Sequence, residues 1–184
     1  MQLLARRWVF GVVWGVASAI GLLAGGLMAA SLVMRSSSQW IVPFAVVGAG
    51  LGAGQSVALF LCAGFKPVSL GWLPLTMLGT TIGALLGFPI EAASTIGLLV
   101  GLSLGVSQWL LLGKWGGFRS LLWIPVNAIA VSSALSFVEM GLRAPGNGMG
   151  SLVIAWAIAI LPPTVVITWL MPSQHARSND TFVG

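Results

Sequence analysis

Six long apolar runs divide the chain, at about 8–33, 40–64, 69–89, 92–112, 120–141 and 150–171, with short breaks rich in polar residues, proline and glycine between them. Each run is close to the roughly 20 residues an α-helix needs to cross the hydrocarbon core of a bilayer. The runs are continuous, unlike the alternating segments of about ten residues that build a membrane β-barrel. Helices satisfy their own backbone groups in lipid. The pattern therefore predicts an all-α integral membrane protein with six transmembrane helices, arranged as three consecutive helical hairpins. Only "PIEAA" (89–93) parts the third run from the fourth, which predicts a tight hairpin there. Residues 1–172 make a single transmembrane domain, and 173–184 a polar tail.

Small and polar positions recur inside the runs. "GAGLGAGQSVALFL" (48–61) aligns with "GLSLGVSQWLLLGK" (101–114), pairing Gly48 with Gly101, Gly52 with Gly105 and Gln55 with Gln108 at a constant offset of 53. "GWLPL" (71–75) then matches "LWIPV" (122–126), with Trp72 against Trp123 and Pro74 against Pro125. The units, about 40–89 and 92–141, are separated by an even number of spans and so predict a parallel internal repeat. The first helix, with "ARRWVFGVVWG", is a weaker relative of the Trp-x-Pro helices.

Glycines four apart form stripes: Gly48 and Gly52; Gly79, Gly83 and Gly87; Gly97, Gly101 and Gly105; with Gly11/Gly15, Gly21/Gly25 and Gly50/Gly54 besides. Hydrophobicity does not hold helices together in lipid, whereas small residues let two backbones approach closely. These glycines are therefore predicted to be helix-packing seams. Gln55 and Gln108 each follow a seam glycine by three positions and are placed to bridge to a neighbouring helix. Such bonds average only about 0.6 kcal/mol.

Composition strengthens the membrane assignment. Hydrophobic residues make up 58% of the chain and charged residues 6%, against about a quarter charged in a soluble domain. The net charge of +5 is spread over separate segments, with no stripe suited to nucleic acid. Arg6, Arg7, Lys66, Lys114, Arg119 and Arg177 fall on one side of the spans, and only Arg35 and Arg143 on the other. By the positive-inside rule both termini are cytoplasmic, in a bacterial inner or internal membrane, with anionic lipid as a partner. The run after Arg6 and Arg7 is too long for a signal-peptide core of 7 to 15 residues. Trp8, Trp40, Trp72, Trp115 and Trp123 lie near span ends and are expected in an interfacial belt, while Trp14, Trp109 and Trp156 lie deeper. Cys62 is the lone cysteine, so no intramolecular disulfide forms.

Candidate chemistry is sparse. Gly48, Gly50 and Ala53 match a GxGxxA pattern but lack the strand and the following acid of a dinucleotide site. Ser103 in "GLSLG" lacks the strand-turn-helix setting of a nucleophile elbow. Three acids (Glu91, Glu139, Asp180), one histidine (His175) and one cysteine offer neither a catalytic triad nor a metal site, so no catalytic or metal-binding residue is expected and the chain is not read as an enzyme. Glu91 suits a helix amino terminus, and Glu139 with Arg143 a surface pair at i, i+4. His175, in the tail, is expected in solvent, with ligation of a haem or chlorophyll as the alternative. Gln55, Gln108 and Asn127 are polar residues within spans, and such residues need partners. They are candidates for interhelical bonds or for contact with a ligand or solute. Pro162 and Pro163 remove two helix hydrogen bonds and join that candidate set.

The GxxxGxxQ helices, with "QWLLL" ahead of a basic loop and a Trp-rich helix start, resemble a loose group of uncharacterised bacterial multi-pass membrane proteins. The resemblance covers 48–126 best, with Ser56 replacing the tryptophan in the first copy. It implies architecture and no activity. The leading expectation is a non-catalytic accessory subunit of a larger membrane complex, for example a photosynthetic or respiratory one, with other integral subunits as partners. The alternative is a small-solute channel or transporter with a cavity near Gln55, Gln108 and Asn127. A further alternative is a protein that binds pigment or lipid. No cofactor is required by the sequence.

Overall fold

The computed structural model describes residues 2–33, 41–63, 66–87, 89–90, 92–143 and 148–170. Arg35, Trp40, Glu91, His175, Arg177, Asp180 and the 173–184 tail lie outside the described residues, as do the side chains of Arg6, Lys66, Lys114 and Trp115. Six α-helices carry the rest: α1 (Gln2–Val33), α2 (Ile41–Ala58), α3 (Lys66–Gly87), α4 (Ala93–Gly116), α5 (Trp123–Arg143) and α6 (Gly148–Leu170). All six are long and apolar enough to cross a membrane. A π-helical turn, Leu59–Ala63, extends α2, and a 3₁₀ segment, Gly117–Leu122, joins α4 to α5. That second junction is sharp because Gly117 takes a φ of 52°, in the left-handed region glycine enters without a Cβ penalty.

Close helix contacts are made at glycines, and they reveal chain direction. A Cβ added to Gly79 would lie 2.7 Å from the Leu104 Cα, and one added to Gly87 would lie 3.2 Å from the Ile96 Cα, so α3 and α4 run antiparallel. Gly97 faces Ser132 and Gly105 faces Ile124 across α4 and α5 at 2.7 and 2.8 Å by the same measure, with Gly101 between them against Ala128. Gly83 likewise lies against Val100. On α2 the stripes diverge: Gly48 and Gly52 face α3, while Gly50 and Gly54 face α1. Residues two apart on a helix of 3.6 residues per turn point in nearly opposite directions, so one helix presents smooth faces to both neighbours. Gly11 and Gly15 of α1 face Thr168 and Thr164 of α6.

Every helix packs on its neighbours in sequence, and α1 also meets α6, closing the six into a ring. The start of α1, the α2–α3 and α4–α5 junctions and the end of α6 share one end of the bundle, here the proximal end; the other three connections define the distal end.

Polarity is inverted relative to a water-soluble protein. Leu70, Leu142 and Val165 are among many large apolar side chains exposed on the outside, while Ser18, Gln55, Thr76, Gln108, Ser120 and Asn127 are buried. An apolar exterior is the arrangement a lipid solvent favours, since polar groups there find partners only within the bundle. The proximal half is packed solid around Phe10, Trp14, Leu59, Trp72, Leu112, Trp123 and Ile167.

Candidate functional site

Three tryptophans, one from each odd-numbered helix, meet in the proximal half of the bundle. The Trp14 ring stands edge-on to Trp72 at 5.4 Å and to Trp123 at 6.4 Å, and the last two are 6.3 Å apart. Edge-to-face contact suits aromatic quadrupoles. Trp72 and Trp123 are fully buried, not at an interfacial belt. Counting from the helix start places a residue along the axis but leaves open which way it faces, and these two face inward.

What holds them there is a polar network. The Trp72 Nε1–H donates to Gln55 Oε1 at 2.7 Å, and the Trp123 Nε1–H to Gln108 Oε1 at 2.9 Å. Gln108 Nε2 donates to Gln55 Oε1 at 3.0 Å and to Thr76 Oγ1 at 2.8 Å. Thr76 in turn donates to the Trp72 carbonyl at 2.8 Å. An indole N–H can only donate, so both glutamine carbonyls must face the tryptophans. The amide orientations follow from that constraint: Gln108 uses both its N–H groups inside the network, whereas the NH₂ of Gln55 is turned away from it. Asn127 donates to the Trp123 carbonyl at 2.8 Å.

Above this layer, in the distal half, lies a chamber of about 260 Å³. Trp14, Gln55, Asn127 and Pro163 form its floor, and Gly26, Phe44, Val138 and Ala155 its far end; side chains from all six helices contribute to the lining. Among the described residues the lining is apolar apart from Ser18, Gln55, Thr80 and Asn127, and includes no ionisable side chain. The Ser18 hydroxyl is buried, with 2% of the residue exposed, and has no hydrogen-bond partner. Ser56 Oγ is likewise buried without a partner but does not line the chamber.

Of the five residues expected near a ligand or solute, Gln55, Asn127 and Pro163 meet at the chamber. Gln108 sits behind it, fully buried, and Pro162 is on the outer face of α6. Helix α6 runs unbroken through both prolines. Sequence reasoning missed Trp14, Ser18, Thr76 and the inward roles of Trp72 and Trp123. The available signal was the recurrence of Trp-x-Pro at nearly the same offset as the glutamines. Ser18 carried a weaker one, standing one helical turn beyond Trp14.

Outside the chamber, Glu139 and Arg143 form a salt bridge near the distal end. Arg119 lies over the Trp169 ring at 5.5 Å, a cation–π contact. Among the described residues there is no group of three His, Cys, Asp or Glu side chains able to hold a metal ion. Six apolar helices fit a multi-pass membrane protein. No protein-family model, curated protein or solved structure matches the chain.

Proposed function

We propose that this is a small-solute channel or transporter of a bacterial inner or internal membrane, non-catalytic, whose solute is held in the chamber between the six helices. The observation that supports it is the polar floor. A lipid-embedded bundle that only had to fold would bury hydrogen-bonding groups in pairs, yet the Ser18 hydroxyl is left without a partner at the wall of an apolar space that Gln55 and Asn127 also line. Buried polar groups without partners are costly, and a bound molecule would offset that cost. On this reading the tryptophan layer closes the chamber toward the proximal end.

The reading includes a parallel repeat and two cytoplasmic termini. Supporting the repeat, Trp72 binds Gln55 as Trp123 binds Gln108, each tryptophan using the glutamine of its own unit. Supporting the orientation, the described basic residues Arg7 and Arg119 are proximal and Arg143 is distal. The accessory-subunit reading remains a second proposal, tested by copurification with larger subunits at fixed stoichiometry. The glycine stripes lend it no support, since they are spent on contacts inside the bundle.

The test is uptake of neutral solutes into proteoliposomes. Protein-dependent, saturable flux is expected, and Leu104→Trp, which fills the chamber from α4, should abolish it. Absence of protein-dependent flux across a panel of neutral solutes, together with extraction of the bundle free of any bound small molecule, would overturn the proposal.

A further inference from the structure

A second feature lies on the outside of the ring, where α1 meets α6. This seam is the sparsest contact between neighbouring helices, and a long groove of about 770 Å³ runs along it. Gly11, Gly15 and Ala19 form one bank, and Thr164 and Thr168 part of the other, with Arg7 and Trp169 at the proximal end. Trp156 and Ile160 border the groove and also line the chamber. Groove and chamber thus share the Trp156 and Ile160 side chains of α6.

The same stretch of α6 is weakened. Pro162 and Pro163 lack the N–H groups that would bond to the Ile158 and Ala159 carbonyls four residues earlier. Ala159 and Pro163 both line the chamber. The helix therefore has a joint directly below Trp156 and Ile160, on the side of the ring that closes most loosely.

The chamber's chemistry specifies what would pass. Among the described residues its lining has no ionisable side chain, so an ion would find no charged partner there and would be buried at large cost. Polar groups meet at one end of it: the unpartnered Ser18 hydroxyl and the side chains of Gln55 and Asn127. About 30 Å³ is the share of one water in the liquid, so the volume admits roughly nine groups of that size.

We propose that the chamber's ligand is a neutral amphiphile dissolved in the bilayer, with one hydroxyl or carbonyl group bound by Ser18 and Gln55. It reaches the chamber sideways from the groove, as the Gly148–Leu161 part of α6 swings outward about Pro162 and Pro163. This inference rests on the chamber being a binding site, as the proposed function holds, and adds the ligand class and the route.

The experiment is photoaffinity labelling of the full chain in phosphatidylcholine vesicles, using a diazirine-bearing alkanol of about seven carbons, a size set by the chamber volume. The corresponding alkanoate and alkylammonium run in parallel. Saturable labelling of Leu104 and Val131 by the alkanol alone is expected, with occupancy about two- to tenfold weaker in Ser18→Ala, the loss of one hydrogen bond. Rapid mixing and flash photolysis should show slower labelling in Pro162→Ala/Pro163→Ala at unchanged final occupancy, because a gate alters the rates in both directions and not the equilibrium. Trp156→Ala should label faster. No saturable label from any of the three compounds overturns the chamber as a binding site, and the proposed function with it. Labelling by the charged analogues overturns the neutral class alone, and unchanged rates in both the proline and the Trp156 variants overturn the sideways route alone.

Discussion

Gln108 makes three side-chain hydrogen bonds, to Gln55, Thr76 and Trp123, at 3.0, 2.8 and 2.9 Å, in a site with no solvent exposure. Gln108→Leu keeps much of the volume and removes all three. At about 0.6 kcal/mol for an interhelical bond in a membrane protein, their sum is about 2 kcal/mol. The Trp123 indole N–H, fully buried, then has no acceptor and no route to water; an orphaned donor of this kind costs about 1–3 kcal/mol. Taking that penalty in place of the lost Trp123 bond, so that it is not counted twice, the expected destabilisation is about 2–4 kcal/mol. Trp123→Phe removes the orphan itself, so it should cost less in the Gln108→Leu background than in the wild-type chain by about 1–2 kcal/mol. Any cavity left by the smaller ring is common to both backgrounds and cancels in the cycle. The assay is reversible unfolding in mixed micelles by sodium dodecyl sulfate, followed by far-UV circular dichroism so that loss of a tryptophan does not disturb the signal. A Gln108→Leu variant within about 0.5 kcal/mol of wild type, or a cycle with no coupling, would refute the view that this network holds the tryptophans in place; both thresholds lie below the bond energies invoked.

Two further predictions concern packing and orientation. Gly105→Ala puts a Cβ 2.8 Å from the Ile124 Cα, and the backbone there cannot yield without parting α4 from α5, so a loss of about 1–3 kcal/mol is expected; Gly150→Ala, with nothing within 4 Å, should be neutral or slightly stabilising in the same unfolding assay. In a Cys62→Ala background, a membrane-impermeant maleimide added to intact spheroplasts should modify Ser94→Cys, exposed at the distal end, and spare Arg119→Cys, exposed at the proximal end; the reverse pattern would overturn the cytoplasmic placement of the termini.

The number of spans, and most of their extents, were legible in the chain because they depend on a one-dimensional quantity, the length of uninterrupted apolar sequence needed to cross hydrocarbon. The expected run 69–89 became Lys66–Gly87, and 150–171 became Gly148–Leu170. Larger differences arose at the junctions: the α2 run ends in a π-helical turn, and α4 continues to Gly116 before the 3₁₀ segment. The glycine stripes, too, could be seen as helical spacing, although which helix each faces could not. Gly48 and Gly50 stand two residues apart and serve different neighbours, a matter of direction around the helix axis.

The candidate site divides along the same line. Gln55, Gln108 and Asn127 stood out because polar side chains are expensive within an apolar run, a property each position has on its own. That Trp72 and Trp123 turn inward, that Ser18 has no partner, and that Gln108 lies behind the chamber while Gln55 lines it are facts about several helices at once. They follow from closure of the ring, where α1 meets α6 across more than a hundred residues of intervening chain. In lipid the force that closes such a ring is contact between surfaces, and surfaces exist only once the helices have packed.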